Sequence, residues 1–117
     1  MNIERIIENI KTFDYSSIDI DEFLDDRDCE EFDSEWVNIY KKIDRDKIPD
    51  SIRVQVDEYR KEVFLAIHEL TGVSELSGYI SDDIELLMYA DYVGINNEWF
   101  SKFIEKYENG KLPMGIL

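Results

Sequence analysis

Hydrophobic residues recur at steps of three and four along most of the chain, which is the spacing of α-helices buried on one face. The first 13 residues show it most clearly, because Ile3, Ile6, Ile7, Ile10 and Phe13 share one face while charged residues lie between them. A brief two-residue alternation at residues 52–56 continues into the helical period. Since no segment sustains the alternation of a half-buried strand, the pattern predicts an all-α protein.

The region after the first helix combines a loop with a second helix. Residues 14–20 are expected to form a loop, and the apolar residues among positions 18–24 a short helical turn. The second helix has two possible starts: Asp28, which would form an acidic capping box with Glu31, or Ser34. Its hydrophobic positions, which include Cys29, continue to residue 43, and the polar residues 44–47 end it.

A third and a fourth helix follow Pro49. Residues 52–71 form the most regular helical pattern and are expected to be the central helix, ending at Gly72, which can take a positive φ. Residues 73–80 are expected to form a connector. A second acidic capping box, Asp82 with Glu85, then predicts a helix over residues 84–93 that is buried on more than one face.

The last helix is predicted over residues 99–107, capped by Asn96 or Asn97 and closed by Gly110. Residues 112–117 then form a short apolar tail that should lie against the body of the protein. The resulting prediction is a single-domain bundle of about five helices plus a turn, spanning residues 1–117.

The composition restricts the chemistry that this chain can perform. The 117 residues suit one domain, and 44% apolar residues are too many for a disordered acidic tail. With one cysteine and one histidine, an internal disulfide or a Cys/His zinc cluster cannot form. Cys29 is expected to be a small core residue and His68 a partly exposed helix residue, and neither lies in a nucleophile motif. We therefore expect no enzyme activity, no cofactor and no metal site.

The N-terminal segment, the length of the apolar runs and the single cysteine indicate the compartment in which the protein resides. The N-terminal segment is amphipathic and contains acid, unlike a signal peptide, and its apolar runs are too short to cross a bilayer. The sequence therefore predicts a cytoplasmic protein in a reducing compartment.

Acidic residues dominate one segment of the chain. The net charge is −15, and residues 14–33 alone contain ten acids against Arg27, a net charge of −9. Such an excess repels nucleic acid and anionic membranes and attracts cationic surfaces. The segment therefore predicts docking of a basic protein partner, although a solvated acidic face is the alternative explanation.

Two sets of partner-binding residues follow from this reasoning. The main set consists of nine acids of this segment, between residues 19 and 33: Asp19, Asp21, Glu22, Asp25, Asp26, Asp28, Glu30, Glu31 and Asp33. Interleaved apolar residues, Phe32 and Trp36 among them, could anchor the interface. A second candidate contact area is Tyr79 and Tyr89 beside Asp82 and Asp83, because tyrosine is favoured at interfaces.

The chain resembles a group of small bacterial proteins in size, charge and style. The segment GYISDDIELL at residues 78–87 and the closing NGKLP at residues 109–113 are similar to those of small acidic immunity proteins from polymorphic and contact-dependent toxin systems. The resemblance implies stoichiometric inhibition of a co-encoded toxin, often a basic nuclease, by covering its active site or a nearby surface. The alternative hypothesis is a DNA mimic or regulatory adaptor that binds a basic nucleic-acid-binding factor.

Overall fold

Six α-helices and two short 3-10 turns make up the structure, a computed structural model that describes residues 1–117. The helices are α1 (Ile3–Thr12), α2 (Ile20–Asp28), α3 (Glu30–Lys42), α4 (Asp50–Thr71), α5 (Ser74–Val93) and α6 (Glu98–Glu108). The 3-10 turns are Tyr15–Ser17 and Arg45–Lys47, and there is no strand. The all-α prediction is confirmed, with six helices in place of about five.

The first helix forms where the hydrophobic pattern predicts it. Its buried face consists of Ile6, Ile7 and Ile10, which join one hydrophobic cluster of 24 buried residues. Asn2 caps the helix, because its side-chain oxygen accepts a hydrogen bond from the backbone N–H of Arg5 at 3.1 Å. Helix capping and core burial therefore both stabilise α1.

The centre of the bundle is α5 rather than α4. Eleven of its 20 residues are buried, including residues on most sides of the helix. Helix α4 packs along α5 but covers it from outside, and its Val54 and Leu65 remain 57% and 56% exposed. The expectation that residues 52–71 form the central helix is wrong, because regular amphipathic spacing is typical of a helix with a solvent face.

Both acidic capping boxes proposed from the sequence are also wrong. Helix α5 begins at Ser74, so the expected connector is helical and Asp82 lies in the helix interior. The hydroxyl of Ser77 donates a hydrogen bond to the carbonyl of Val73 at 2.9 Å, and the surrounding apolar residues are buried. Tertiary packing thus keeps a Ser- and Gly-containing stretch in a helix that its composition alone disfavours.

The region of the expected short turn is a complete helix, α2, whose N-terminus is capped by Asp19 accepting from the N–H of Glu22 at 3.1 Å. Asp28 is the last residue of α2, and α3 starts directly after Cys29 without a side-chain cap. Cys29 is exposed at this junction. The expectation of a buried core cysteine is wrong, because the helix boundary moves it away from the apolar face of α3.

Other end signals act as the sequence predicts. Gly72 ends α4 with φ +70°, Gly94 ends α5 with φ +79°, and Asn97 caps α6 by accepting from the N–H of Phe100 at 2.9 Å. The apolar tail lies partly against the core, although Ile116 is 88% exposed. No helix is both long enough and apolar enough to span a membrane.

Candidate partner-binding surface

The acidic segment forms the outer surface of α2 and the first turn of α3. Eight of its nine candidate residues are exposed, and the ninth, Asp26, is partly exposed. At 100° per residue, the five acids of α2 between residues 21 and 28 occupy an arc of about 160°. The remaining side of that helix is buried and contains Phe23, Leu24 and Arg27. The carboxylates of α2 therefore lie on one face rather than in several directions.

The acidic segment has no neutralising cation at the surface. Its only basic residue, Arg27, points into the protein and is 6% exposed. None of the nine candidate carboxylates has a basic group within 4.0 Å, since the ion pairs of the molecule all involve other acids. The negative potential of this surface is therefore not reduced by internal pairing.

Arg27 is held by Asp83, a carboxylate at the centre of the bundle that is 0% exposed. The two terminal nitrogens of its guanidinium donate to the two oxygens of Asp83 at 2.7 and 3.0 Å. Trp36 Nε1 donates to Oδ1 at 2.9 Å, and the hydroxyl of Tyr107 donates to Oδ2 at 2.5 Å. Two donors at each oxygen saturate the acceptor capacity of the carboxylate. One buried anion thus joins α2, α3, α5 and α6.

This network changes the proton affinity of its members. Burial lowers the pKa of Arg27, but the charge of Asp83 and its hydrogen bonds more than offset that effect and raise the pKa above the ordinary value. Burial and the neighbouring Asp83 charge raise the pKa of Tyr107 well above 10. Arg27 therefore stays charged and Tyr107 stays protonated as a hydrogen-bond donor to Asp83.

A cleft of about 170 Å³ opens between the acidic segment and α5. Its lining combines the acids Asp28, Asp33, Asp82 and Asp83 with Arg27 and the rings of Phe32, Trp36 and Tyr79. Across the cleft, the hydroxyl of Tyr79 donates a hydrogen bond to Oδ1 of Asp28, which raises the pKa of Tyr79 to about 12. Burial is the main cause that raises the pKa of Asp82, although the ion pair with Arg60 at 2.6 Å opposes it.

Only two of the four residues in the second candidate contact area are accessible at the surface. Tyr79 and Asp82 lie beside the acidic segment, around the same cleft. Asp83 is part of the buried network, and Tyr89 lies about two helical turns beyond Asp82. Tyr89 is 5% exposed, and the guanidinium of Arg45 lies 5.4 Å from its ring centroid. Asp83 and Tyr89 therefore have structural contacts and little surface to offer a partner.

Sequence reasoning missed the role of Arg27. The available signal was its position, because residues 23, 24 and 27 share one side of a helix and place the single base of the segment on the apolar side. Its partner Asp83 could not be found by spacing, since 56 residues separate the two. Despite the density of acids, no three of the Asp, Glu, Cys and His side chains converge in a way that could hold a metal ion.

A comparison with protein families gives the surface a biological context. The sequence model of the family described as "Immunity protein PIM1" matches residues 2–114. The chain belongs to this immunity protein family. A search of curated proteins found no match. Because the match extends over nearly the whole chain, all six helices, the acidic segment and the cleft belong to the PIM1 region. The resemblance inferred from size, charge and local sequence is thereby confirmed, and membership indicates an inhibitor that binds a toxin.

Proposed function

We propose that this PIM1-family protein acts without catalysis and neutralises a cognate basic toxin by docking its acidic surface onto it. The contact surface comprises the nine acids of the segment, together with Tyr79 and Asp82 at its edge. The observation that carries the proposal is the clustering of those nine carboxylates on one outer surface, without an ion-pair partner, while the one cation of the segment, Arg27, is buried. Family membership supports inhibition of a toxin over the alternative of a DNA mimic or adaptor.

The electrostatic cost of this surface favours a functional explanation. Neighbouring acids along α2 lie within the Debye length of about 8 Å at physiological salt, so they repel one another and destabilise the folded chain. Six of the nine charges stabilise helix N-termini: Asp19, Asp21 and Glu22 at α2, and Glu30, Glu31 and Asp33 at α3. The other three, Asp25, Asp26 and Asp28, lie outside those first turns. Attraction to a cationic partner would offset the repulsion among these carboxylates.

A nuclease is the toxin class that this surface suits best. Enzymes that cleave nucleic acid bind the phosphate backbone through basic surfaces, and an array of carboxylates can occupy such a surface in place of the substrate. Occlusion of the substrate-binding surface would then inhibit the toxin without any chemical step, in the cytoplasm of the producing cell.

The test begins with capture of the partner. The tagged protein is used to pull down binding proteins from the source organism, and mass spectrometry identifies them. We expect a basic toxin domain whose nuclease activity is lost at a one-to-one ratio with the immunity protein. An acidic partner, or a toxin that stays active in the stoichiometric complex, would contradict the proposal.

A second arm connects the inhibition to the acidic surface. Cells that express the captured toxin should lose protection when Asp21, Glu22, Asp25 and Asp26 are all replaced by lysine, while the far-UV CD spectrum stays helical. A matched control reverses four exposed acids elsewhere, Glu8, Glu58, Glu69 and Asp91, none of which forms an ion pair. Equal protection by the two variants would refute the role of the acidic surface.

A further inference from the structure

The cleft beside Asp28 and Asp33 has the size of a site for one side chain. Its volume of about 170 Å³ lies below the range of about 300–1,000 Å³ that is usual for small-molecule pockets. Protein interfaces, by contrast, commonly place a few anchor side chains in small pockets near their centre, and arginine is enriched among those anchors. The cleft therefore fits an anchor residue of a protein partner better than a metabolite.

The chemistry of the lining selects a planar cation. Three aromatic rings and carboxylates from two sides surround the cleft. A guanidinium can stack on aromatic faces and also donate paired hydrogen bonds to carboxylates, whereas a lysine ammonium lacks the planar geometry. The one basic group in the lining, Arg27, adds no free positive charge, because Asp83 pairs with it through both terminal nitrogens.

The protein already binds one guanidinium with the same set of groups. The Arg27 guanidinium carbon lies 4.2 Å from the centroid of Phe32 and 5.9 Å from that of Tyr79, while the carboxylate of Asp83 holds its nitrogens. The open side of the cleft offers the same kinds of group, with the ring of Trp36 and the carboxylates of Asp28 and Asp33. Unlike Asp83 in the Arg27 site, the carboxylates of Asp28 and Asp33 have no basic side chain of this protein paired with them.

Two of the cleft carboxylates have acceptor capacity to spare. Asp82 is paired with Arg60, but Asp28 uses only Oδ1, for Tyr79, and no donor of the chain contacts the carboxylate of Asp33. Asp28 is also the C-terminal residue of α2, where the helix dipole disfavours an anion. Helix formation therefore does not explain why a carboxylate stands at this position.

We propose that the cleft between the acidic segment and α5 receives a single arginine side chain of the toxin, which stacks on the aromatic wall and pairs with Asp28 and Asp33. This inference rests on the proposed function and adds a specific anchor to it. The exposed acids of α2 accelerate the encounter, and the cleft then retains the docked partner.

Two double variants with the same net charge separate the role of the α2 acids in association from the role of the cleft in retention. D28N/D33N alters the cleft, and D21N/D25N removes the same charge from the exposed face of α2. Association and dissociation rates of each variant with the captured toxin are measured by surface plasmon resonance, and thermal unfolding checks that both variants fold. We expect D28N/D33N to raise the dissociation rate at least about tenfold, because it removes a charge pair that the complex buries. The D21N/D25N variant should lower the association rate and leave the dissociation rate within about twofold.

The possible outcomes are distinct for the two proposals. Equal effects of both variants on both rates would overturn the arginine cleft and leave the acidic docking surface intact. If neither variant changes either rate, the cleft and the docking surface are both wrong. A complex whose dissociation responds only to D28N/D33N supports the cleft.

Discussion

Replacing Asp83 with asparagine would test how strongly the buried network holds the helices together. The substitution keeps the shape of the side chain but removes the negative charge that neutralises Arg27, which is 6% exposed. It also places an NH₂ group where an oxygen accepts from two donors, so at least one of the four hydrogen bonds to Asp83 is lost.

The magnitude follows from the burial of both charges. Breaking a fully buried ion pair by removing one partner costs about 3–5 kcal/mol, because the other charge remains without compensation. Proteins of this length have a free energy of unfolding of about 6–18 kcal/mol. The D83N variant should therefore lose a large part of its stability. At about 4 °C per kcal/mol for this chain length, its Tm should fall by about 12–20 °C.

A double-mutant cycle with R27M measures the coupling directly. Urea unfolding followed by tryptophan fluorescence gives the free energy of unfolding of the parent, D83N, R27M and the double variant. Since the double variant no longer buries an uncompensated arginine charge, its loss should be smaller than the sum of the two single losses by about 2–3 kcal/mol. Additive losses, or a cost of D83N below about 1 kcal/mol, would refute the reasoning.

Three further predictions concern the fold. Gly72→Ala should lower the free energy of unfolding by about 1–2 kcal/mol because φ is +70° there. Gly78 lies inside α5 with open space around its Cα, so Gly78→Ala should raise the free energy of unfolding by about 0.5–1 kcal/mol. Urea titration measures both changes, and the same sign at both sites would contradict the prediction. The pKa of Tyr107 is raised in the folded state, so the unfolded state releases its phenol proton first and stability should fall as pH rises above 10. In denaturation series from pH 8 to pH 12, this loss should be smaller for Tyr107→Phe, and an unchanged loss would exclude Tyr107 as its source. Cys29 is exposed and should react with a neutral maleimide in the native state, as mass spectrometry would show, whereas full protection would contradict its exposure.

The sequence predicts those parts of the fold that local signals determine. The isoleucine spacing of α1, the glycine at the end of α4 and the asparagine cap of α6 each specify structure within a few residues. The sequence pattern places the start of α5 too late, because the Ser and Gly residues of its first two turns are typical of a connector. Burial against α4 overrides that local preference, and burial of this kind depends on residues that are distant in sequence.

The candidate surface was predictable for a similar reason, since contiguous acids of α2 must share its outer face once the apolar residues turn inward. The cleft was not predictable. It requires α5 to lie beside α2 and α3, and it depends on the long-range pairing of Arg27 with Asp83. That pairing also makes Asp83 structural, although its position between acidic and aromatic neighbours suggested a contact residue.

The salt dependence of toxin association tests the central claim most directly. Replacing Asp21, Glu22, Asp25 and Asp26 by lysine changes the net charge from −15 to −7, and so does replacing Glu8, Glu58, Glu69 and Asp91. Stopped-flow association rates with the captured toxin are compared at increasing NaCl concentrations.

For the variant of α2, we predict a loss of at least about tenfold in the association rate at low salt and a flattened salt dependence. The control should stay within about threefold of the parent and keep its steep salt dependence. Equal slowing of the two variants would show that only net charge matters, and that result would contradict a docking role for the acidic face of α2.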